Sequence, residues 1–501
     1  MSSIRSARNR RTEHSSSDSS EVGQFLVSNV KFRVAAPPAR PLPVDDDLGH
    51  QDCIFIHKAL GNALEDGVDN ILEANNIKPL EPTSLVFRSV QGDSSQGQPT
   101  ILVVADWDET SPPTWERAVK RSKRLVDATV LESKQLRAMD IAVEFIAKEL
   151  TLGKYISAIP PQEFSKSLAE AWGEIKYHVS DILDRHPQTK ERVTSVSLFK
   201  LGFSDDVDKN PLTLYISLDY ESEETKWPPV VEEIEKCLDQ YPYDLRVHLE
   251  HNCPTPFPGF ELLLRNMTSE QVENKLDDNY STDRRYNSTY LSEITAFFDN
   301  GNHIFGEIYA ASGYRRRSRH NGRMDWALIR PLDGRRVGDN KLPTTNEWRA
   351  NKKYLNLPLF TARGSRLKQP PPNGLRDVLN GEHIYKNGTS TGPTIGVFSH
   401  IKSDVRIHDD AHLVTALGPD IRTSEEFVYI GDPQSDWLAK NGDSGSVVFD
   451  REGRAVGLLF RGHRAQNANN TYCYITPIED IFNDIKDFSK GSITEIRIAE
   501  V

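Results

Sequence analysis

The sequence predicts a multidomain protein in which an α/β module precedes a mainly β domain, a barrel or a sandwich, that ends in a helix. The chain has 501 residues, which is enough for three or four domains. A strand, strand, helix, strand pattern occurs twice before residue 250. Short apolar runs broken by Gly, Pro, Asn and Asp fill residues 303–485, and apolar residues at helical spacing follow over 477–488.

The chain divides into five segments by composition. Residues 1–45 are rich in Ser, Arg and Pro and poor in large apolar side chains, so we expect a disordered tail. The duplicated α/β module covers 46–252, where an amphipathic helical pattern over 50–80 precedes the first repeat. Prolines and a polar stretch mark a linker, or a shortened β region, over 253–290. The β domain covers 291–488, and 489–501 is a second tail.

Composition excludes several classes of protein. The net charge is −12, so nucleic acid is not expected as a partner. No apolar run approaches the roughly 20 residues of a membrane helix, and the first thirty residues lack the apolar core of a secretory signal. We therefore expect an intracellular protein, cytoplasmic or nuclear. Four cysteines without metal-ligand spacing predict no disulfide, no metal and no cofactor.

The strongest chemical signal is the sequence Asn-Gly-Asp-Ser-Gly-Ser at residues 441–446. It precedes a strand over 447–449, a turn, and a second strand over 455–462. Acyl transfer needs a serine hydroxyl on a sharp turn, with backbone N–H groups directed at the oxyanion that develops. Glycine permits that backbone path. The pattern therefore indicates a nucleophilic serine at Ser444.

On these residues the sequence resembles the trypsin-like serine peptidases, which have the chymotrypsin fold. The resemblance implies that Ser444 is the nucleophile and that the N–H groups of Gly442 and Ser444 form the oxyanion hole. It places Leu438 where the family sets primary specificity, which would give an apolar or unselective pocket. The strand along which a peptide or protein substrate pairs would contain Phe460, Arg461 and Gly462.

A second segment agrees with the resemblance. Met324-Asp-Trp-Ala-Leu-Ile329 matches the strand that carries the acid of the triad, which implies that Asp325 orients the catalytic imidazole. The stretch 386–396 resembles the opening strand of the second barrel in intracellular members. Together these matches cover about residues 300–485.

The histidine that serves as general base cannot be located. The family order is His, Asp, Ser, yet no segment upstream of Asp325 has the family's histidine context. His303 is a possible base, although it lies only 22 residues before Asp325, and His178 belongs to an amphipathic helix. Residues 258–345 also contain too few strands for a complete first barrel.

Three hypotheses follow. The first is a serine peptidase domain attached to an α/β module. The second is an inactive pseudoprotease that binds a peptide along 455–462 without cutting it. The third gives the function to the α/β repeats and makes the barrel a support. The sequence does not predict the oligomeric state.

Overall fold

The computed structural model describes residues 32–37, 44–90, 93–108, 110–252, 295–296, 299–300, 304–313, 316–335, 338–350, 362–406, 423–432, 438–440, 442–463 and 468–499. The helices are α1 (Gln51–Leu60), α2 (Ala63–Ala74), α3 (Ser111–Glu132), α4 (Lys166–Arg185), α5 (Pro228–Leu238), α6 (Thr345–Ala350) and α7 (Ile478–Phe488). No helix in these ranges combines the length and the apolar character needed to cross a membrane.

Seventeen strands form three sheets within the described ranges. Strands of the first half are β1 (Arg33–Ala36), β2 (Val44–Asp47), β3 (Ser84–Val90), β4 (Asp93–Ala105), β5 (Ala142–Ala147), β6 (Tyr155–Ser157), β7 (Val193–Gly202), β8 (Leu212–Leu218) and β9 (Arg246–His251). Strands of the second half are β10 (Gly306–Ala311), β11 (Ala327–Pro331), β12 (His383–Gly388), β13 (Gly392–Arg406), β14 (Thr423–Gly431), β15 (Val447–Phe449), β16 (Ala455–His463) and β17 (Tyr472–Pro477).

The first sheet has the order β1-β5-β4-β3-β2. β3 and β4 are antiparallel, and α3 connects β4 to the parallel strand β5. Two prolines stand in the first turn of α3, where the backbone N–H groups have no partner inside the helix. Trp115 and Val126 of α3 are buried in the core above this sheet.

β7, β8, α5 and β9 repeat this arrangement: β7 and β8 are antiparallel, and β9 is parallel to β8. α4 precedes them and begins at Ser165, whose hydroxyl accepts a hydrogen bond from the backbone N–H of Leu168 at 3.1 Å. Trp172 of α4 and Trp227, next to α5, are buried in the core of this second unit.

The six strands from β12 to β17 form a closed antiparallel barrel. Their order is β12-β15-β16-β17-β14-β13, and β12 also pairs with β13. The interior is filled by apolar side chains that alternate along the strands. They include Ile384, Phe398, Phe427, Tyr429, Val448, Val456, Leu459, Cys473 and Ile475.

β13 joins the barrel to the second α/β unit. Its second half pairs with β7, with Asp404 opposite Val196 and Val405 opposite Ser195. The barrel and strands β6–β9 are therefore one continuous sheet. The boundary placed between 252 and 291 from composition stays a prediction, but the sheet continues across it.

β10 and β11 form a separate two-stranded ribbon. The basic residue Arg316 binds α7. Arg316 contacts the Asp484 carboxylate through Nε, at 3.0 and 2.9 Å, and through Nη2 at 2.5 Å.

The two predicted tails are partly ordered. β1 lies inside the stretch 1–45 and pairs antiparallel with β5, so the prediction of disorder is wrong for Arg33–Ala36. The carboxylate of Glu224 binds the guanidinium of Arg33 at 3.1 Å and fixes this strand to the second unit. At the other end, Ile498 exchanges two hydrogen bonds with the Gln369 amide, at 2.8 and 3.0 Å.

Candidate active site

Ser444 lies on a sharp turn between residue 442 and β15. Gly442 has a φ of 98° and Gly445 a φ of 84°, values in the left-handed region that side chains disfavour. The turn is held to β16, because the N–H of Gly445 donates to the carbonyl of Leu459 at 2.7 Å and Leu459 donates back to Ser446 at 3.0 Å. Ser444 itself is exposed to solvent.

Asp443 fixes the turn from inside the barrel. Its carboxylate and the ammonium of Lys386 lie 3.1 Å apart, and both side chains are fully buried. The carboxylate also accepts hydrogen bonds from the N–H groups of Ser390 (2.8 Å) and Lys440 (3.0 Å), and from the hydroxyl of Thr391 (2.7 Å). Burial alone would raise the pKa of Asp443, but Lys386 and these donors hold it below its usual range. Asp443 is therefore ionised.

A β-bulge in β16 sets the direction of the Ser444 hydroxyl. Leu459 pairs with Ile475 and Arg461 with Tyr474, so Phe460 is an extra residue in the ladder. The Ser444 hydroxyl donates to the Phe460 carbonyl at 3.1 Å. No imidazole in the described ranges makes a hydrogen bond with Ser444.

The two N–H groups assigned to the oxyanion hole are available. Those of Gly442 and Ser444 donate to no acceptor among the described residues, whereas those of Asp443, Gly445 and Ser446 are paired. Both residues are exposed. Within the described part of the chain, the turn therefore combines an exposed serine, whose hydroxyl binds the Phe460 carbonyl, with two backbone N–H groups that have no acceptor.

Asp325 lies on the segment that leads into β11. Its neighbours Met324 and Trp326 are buried against α7, and the indole N–H of Trp326 donates to Asp484 at 2.8 Å. Asp325 is exposed and has no hydrogen bond with Ser444 or with a histidine within the described ranges. The contacts that place the segment therefore involve α7 rather than the serine turn. His303 lies outside the described residues.

Leu438 is fully buried in the barrel core. Its N–H donates to the Thr471 hydroxyl and its carbonyl accepts from the Thr394 hydroxyl, both at 2.9 Å. The side chain packs among core residues such as Phe398 and Cys473. The resemblance implies that this residue lines an open specificity pocket. In the structure its side chain is instead part of the packed barrel core.

Within the described residues, the segment Phe460–Gly462 has a paired strand on one side only. β15 pairs with β16 only as far as Leu458, while β17 continues along the other side to His463. Beyond Leu458, no described strand pairs with β16 on the side of the serine turn. Phe460 and Gly462 are partly exposed, and Arg461 is buried.

The described residues contain no group of three or more His, Cys, Asp or Glu side chains that could hold a metal ion.

Sequence reasoning missed two residues next to the turn. Lys386 follows Ile384 by two positions in a strand, so both share the inward face, and a lysine there needs a buried anion. That signal could have predicted the pair with Asp443. His463, one residue beyond Gly462, is almost fully buried and its ring nitrogens have no hydrogen-bond partner among the described residues, and its sequence context gives no such signal.

No family model and no curated protein match the chain. Among solved structures, a glutamic acid specific serine protease that uses a histidine triad in substrate binding is 13% identical, with a TM-score of 0.21 over 32% of this chain and 65% of its own. Cellulomonas bogoriensis chymotrypsin is 16% identical, with a TM-score of 0.22 over 37% and 73%. Thermobifida fusca Protease A is 14% identical, with a TM-score of 0.21 over 33% and 66%.

This chain therefore spans less than two thirds of the length of two of these three structures. All three are chymotrypsin-like serine proteases, and the likeness concerns only the fold of about a third of this chain.

Proposed function

We propose that this chain binds an extended peptide along the edge of β16 beside the serine turn, on a trypsin-like serine peptidase scaffold. The observation that carries the proposal is the combination of that edge with the serine turn beside it. A strand added to the edge gains backbone hydrogen bonds, and its backbone then runs past Ser444. The partner is therefore a peptide or a protein segment in extended conformation.

The first candidate for the fate of the peptide is hydrolysis. The N–H groups of Gly442 and Ser444, which have no acceptor within the described residues, favour it, because such donors stabilise an oxyanion. In this reaction the Ser444 Oγ attacks the peptide carbonyl carbon while a general base takes the hydroxyl proton, and the C–N bond breaks as the base gives that proton to the leaving amine. Water, deprotonated by the same base, then attacks the acyl-enzyme, releases the carboxylic acid product and restores the Ser444 hydroxyl. Asp325 would orient that base, and His303 is the residue proposed for it.

The second candidate is binding without cleavage. The hydrogen bond from Ser444 to the Phe460 carbonyl favours it, because a hydroxyl committed to a carbonyl is not activated by an imidazole. Loss of the base lowers the rate by roughly 10⁴-fold to 10⁶-fold in enzymes of this kind. Such a protein would hold its peptide along β16.

A fluorophosphonate probe separates the two candidates. An activated Ser444 forms a covalent adduct with the probe, whereas Ser444→Ala gives none, and His303→Ala gives none if His303 is the base. Ser446→Ala is the matched control, because Ser446 lies on the same turn. If the probe does not react but fluorescent peptides bind, the second candidate holds. If neither probe nor peptide binds, the proposed function is wrong.

The location inside the cell is part of the same proposal. Fractionation of cells that express the tagged full chain tests it, with a cytoplasmic or nuclear signal as the expected result.

A further inference from the structure

The solvent side of α3 carries three arginines in one row. Arg117, Arg121 and Arg124 are spaced by four and three residues, so they share one face of the helix. All three are exposed, whereas Trp115 and Val126 on the opposite side are buried in the core of the first sheet. At 1.5 Å per residue the row is about 10 Å long. It forms a compact positive surface on a chain whose net charge is −12.

None of the three arginines has a carboxylate partner within the described residues. Arg117 contacts only the Thr114 hydroxyl, at 3.4 Å, in the preceding turn of the same helix. Every other lysine or arginine of α3, α4 and α5 forms an ion pair with a carboxylate; these residues are Lys120, Lys123, Lys166, Lys176, Arg185 and Lys236. The three arginines are therefore the exception on these helices, and their charges are accessible to an anion from outside the chain.

The row continues into an apolar end. Ala128 and Leu131 follow Arg124 by four and seven residues and so lie on the same face of α3. Leu131 is 61% exposed. An isolated exposed leucine is ordinary, but this one is aligned with three arginines. A complementary ligand therefore carries negative groups about 5 to 6 Å apart, the spacing of neighbouring side chains on the face, and an apolar group beside them.

A protein segment with acidic residues next to an apolar one meets these requirements. Arginine binds a carboxylate through two parallel N–H donors, and alternate side chains of an extended peptide lie about 7 Å apart on one side. A nucleic acid supplies phosphates but no apolar side chain for Leu131. Beyond the row of about 10 Å, a long nucleic acid or a bilayer would also face a strongly acidic chain.

We propose that the exposed face of α3 docks an acidic segment of a partner protein, with Asp or Glu on Arg117, Arg121 and Arg124 and an apolar residue on Leu131. The inference is independent of the proposed function, because α3 packs on the first sheet whereas the serine turn belongs to the barrel. It gives the α/β module an interaction surface of its own.

Fluorescence anisotropy with the full chain tests the proposal. The probes are the fluorescein-labelled peptide Glu-Ser-Glu-Ser-Glu-Ser-Leu-Ser-Leu, its reversed sequence, and the same two peptides with Gln in place of Glu. At low salt one of the Glu peptides should bind about tenfold more tightly than its Gln counterpart, as three exposed charge pairs provide. The difference should disappear near 0.5 M salt, because exposed pairs are screened.

The triple variant Arg117→Gln/Arg121→Gln/Arg124→Gln should bind the Glu and Gln peptides equally. These side chains are exposed, so their replacement leaves the core intact. Leu131→Ser should weaken binding of the Glu peptide about threefold to fivefold, through the lost apolar contact, and should leave the preference for Glu over Gln unchanged.

The matched control is the triple variant Lys166→Gln/Lys209→Gln/Lys236→Gln. It removes the same total charge from exposed lysines that already have carboxylate partners, and it should keep the full preference. If it loses the preference to the same extent as the arginine variant, the effect is one of net charge and the inference is wrong.

Three further results would overturn the inference. They are equal binding of the Glu and Gln peptides to the unsubstituted chain, a preference that survives loss of the three arginines, and tighter binding of single-stranded DNA or of phosphatidylserine vesicles than of the Glu peptide. Each leaves the proposed function intact, since Ser444 and β16 take no part in this contact.

Discussion

The Lys386 ammonium and the Asp443 carboxylate form an ion pair at 3.1 Å that is fully excluded from solvent, one residue before Ser444. The pair connects β12 to the serine turn through the interior of the barrel. The stability of the barrel and the shape of the turn therefore depend on the same contact.

Lys386→Met should lower the free energy of unfolding by about 3 to 5 kcal/mol, because it leaves a buried carboxylate without its cation. Urea denaturation followed by tryptophan fluorescence measures the loss. Lys368→Met is the control: this lysine is exposed, so its replacement should change the free energy of unfolding by less than about 0.5 kcal/mol. Equal effects of the two substitutions would contradict the structural role of the pair.

The ion pairs that Lys176 of α4 makes with the barrel should also contribute to the free energy of unfolding. Lys176 is 5% exposed and lies 2.5 Å from Asp404 and 2.7 Å from Glu425. Its replacement by Met should cost about 3 kcal/mol, as for other broken buried pairs. Lys166 is the control, since it is 91% exposed and 3.4 Å from Glu170 on the same helix. Lys166→Met should cost less than about 1 kcal/mol, and a similar cost for both would refute the prediction.

Glu479 should make stability depend on pH. Burial raises its pKa to about 7, against the opposing hydrogen bond from the Leu375 N–H at 3.1 Å. The native state therefore retains a proton that the unfolded state releases near the ordinary glutamate pKa of 4.5. The free energy of unfolding should fall as the pH rises from about 4.5 through 7, by about 3 kcal/mol if this group acts alone.

Glu479→Gln should remove the part of the fall in the free energy of unfolding that Glu479 causes between pH 4.5 and 7, because the amide stays neutral at every pH. Guanidinium denaturation at pH 5 and pH 8 measures the difference in both proteins. Glu116→Gln, on the exposed surface of α3, serves as the control. Parallel pH curves for wild type and Glu479→Gln would exclude Glu479 as the origin.

Gly374 should tolerate a side chain less well than Gly313. Both have positive φ values, 61° and 64°, so alanine strains the backbone equally at the two sites. A Cβ on Gly374 would collide with the Glu479 carboxylate, whereas one on Gly313 meets no atom within 4 Å. Gly374→Ala should therefore cost about 1 to 3 kcal/mol more than Gly313→Ala in urea denaturation. Equal costs would show that the carboxylate moves away freely.

Local patterns predicted most of the individual elements. The helix expected around Trp115–Val126 lies within α3, and the one expected over 477–488 corresponds to α7. Alternation and turn residues are local, so the strands near 427, 447 and 455 were recognisable. The apolar runs 395–401 and 404–408 are separated by two polar residues, a pattern that predicts two strands, whereas β13 continues from the first run to Arg406 and only shifts register between Ser399 and Ser403.

Long-range pairing could not be predicted. The contact of β7 with β13 joins residues more than 200 positions apart, and nothing in either strand specifies its partner. The same reason applies to His463. Alternation predicts only that it shares a face with Arg461, and the burial of that face depends on the tertiary packing of Tyr472 and Tyr474.

The shared strand β13 has a practical consequence for protein production. A fragment that starts after residue 252 lacks β7, so the far half of β13 would present an unprotected edge and promote aggregation. The upstream fragment would lose the partner of β7 in the same way. Expression plasmids for this protein should therefore encode the second α/β unit and the barrel together.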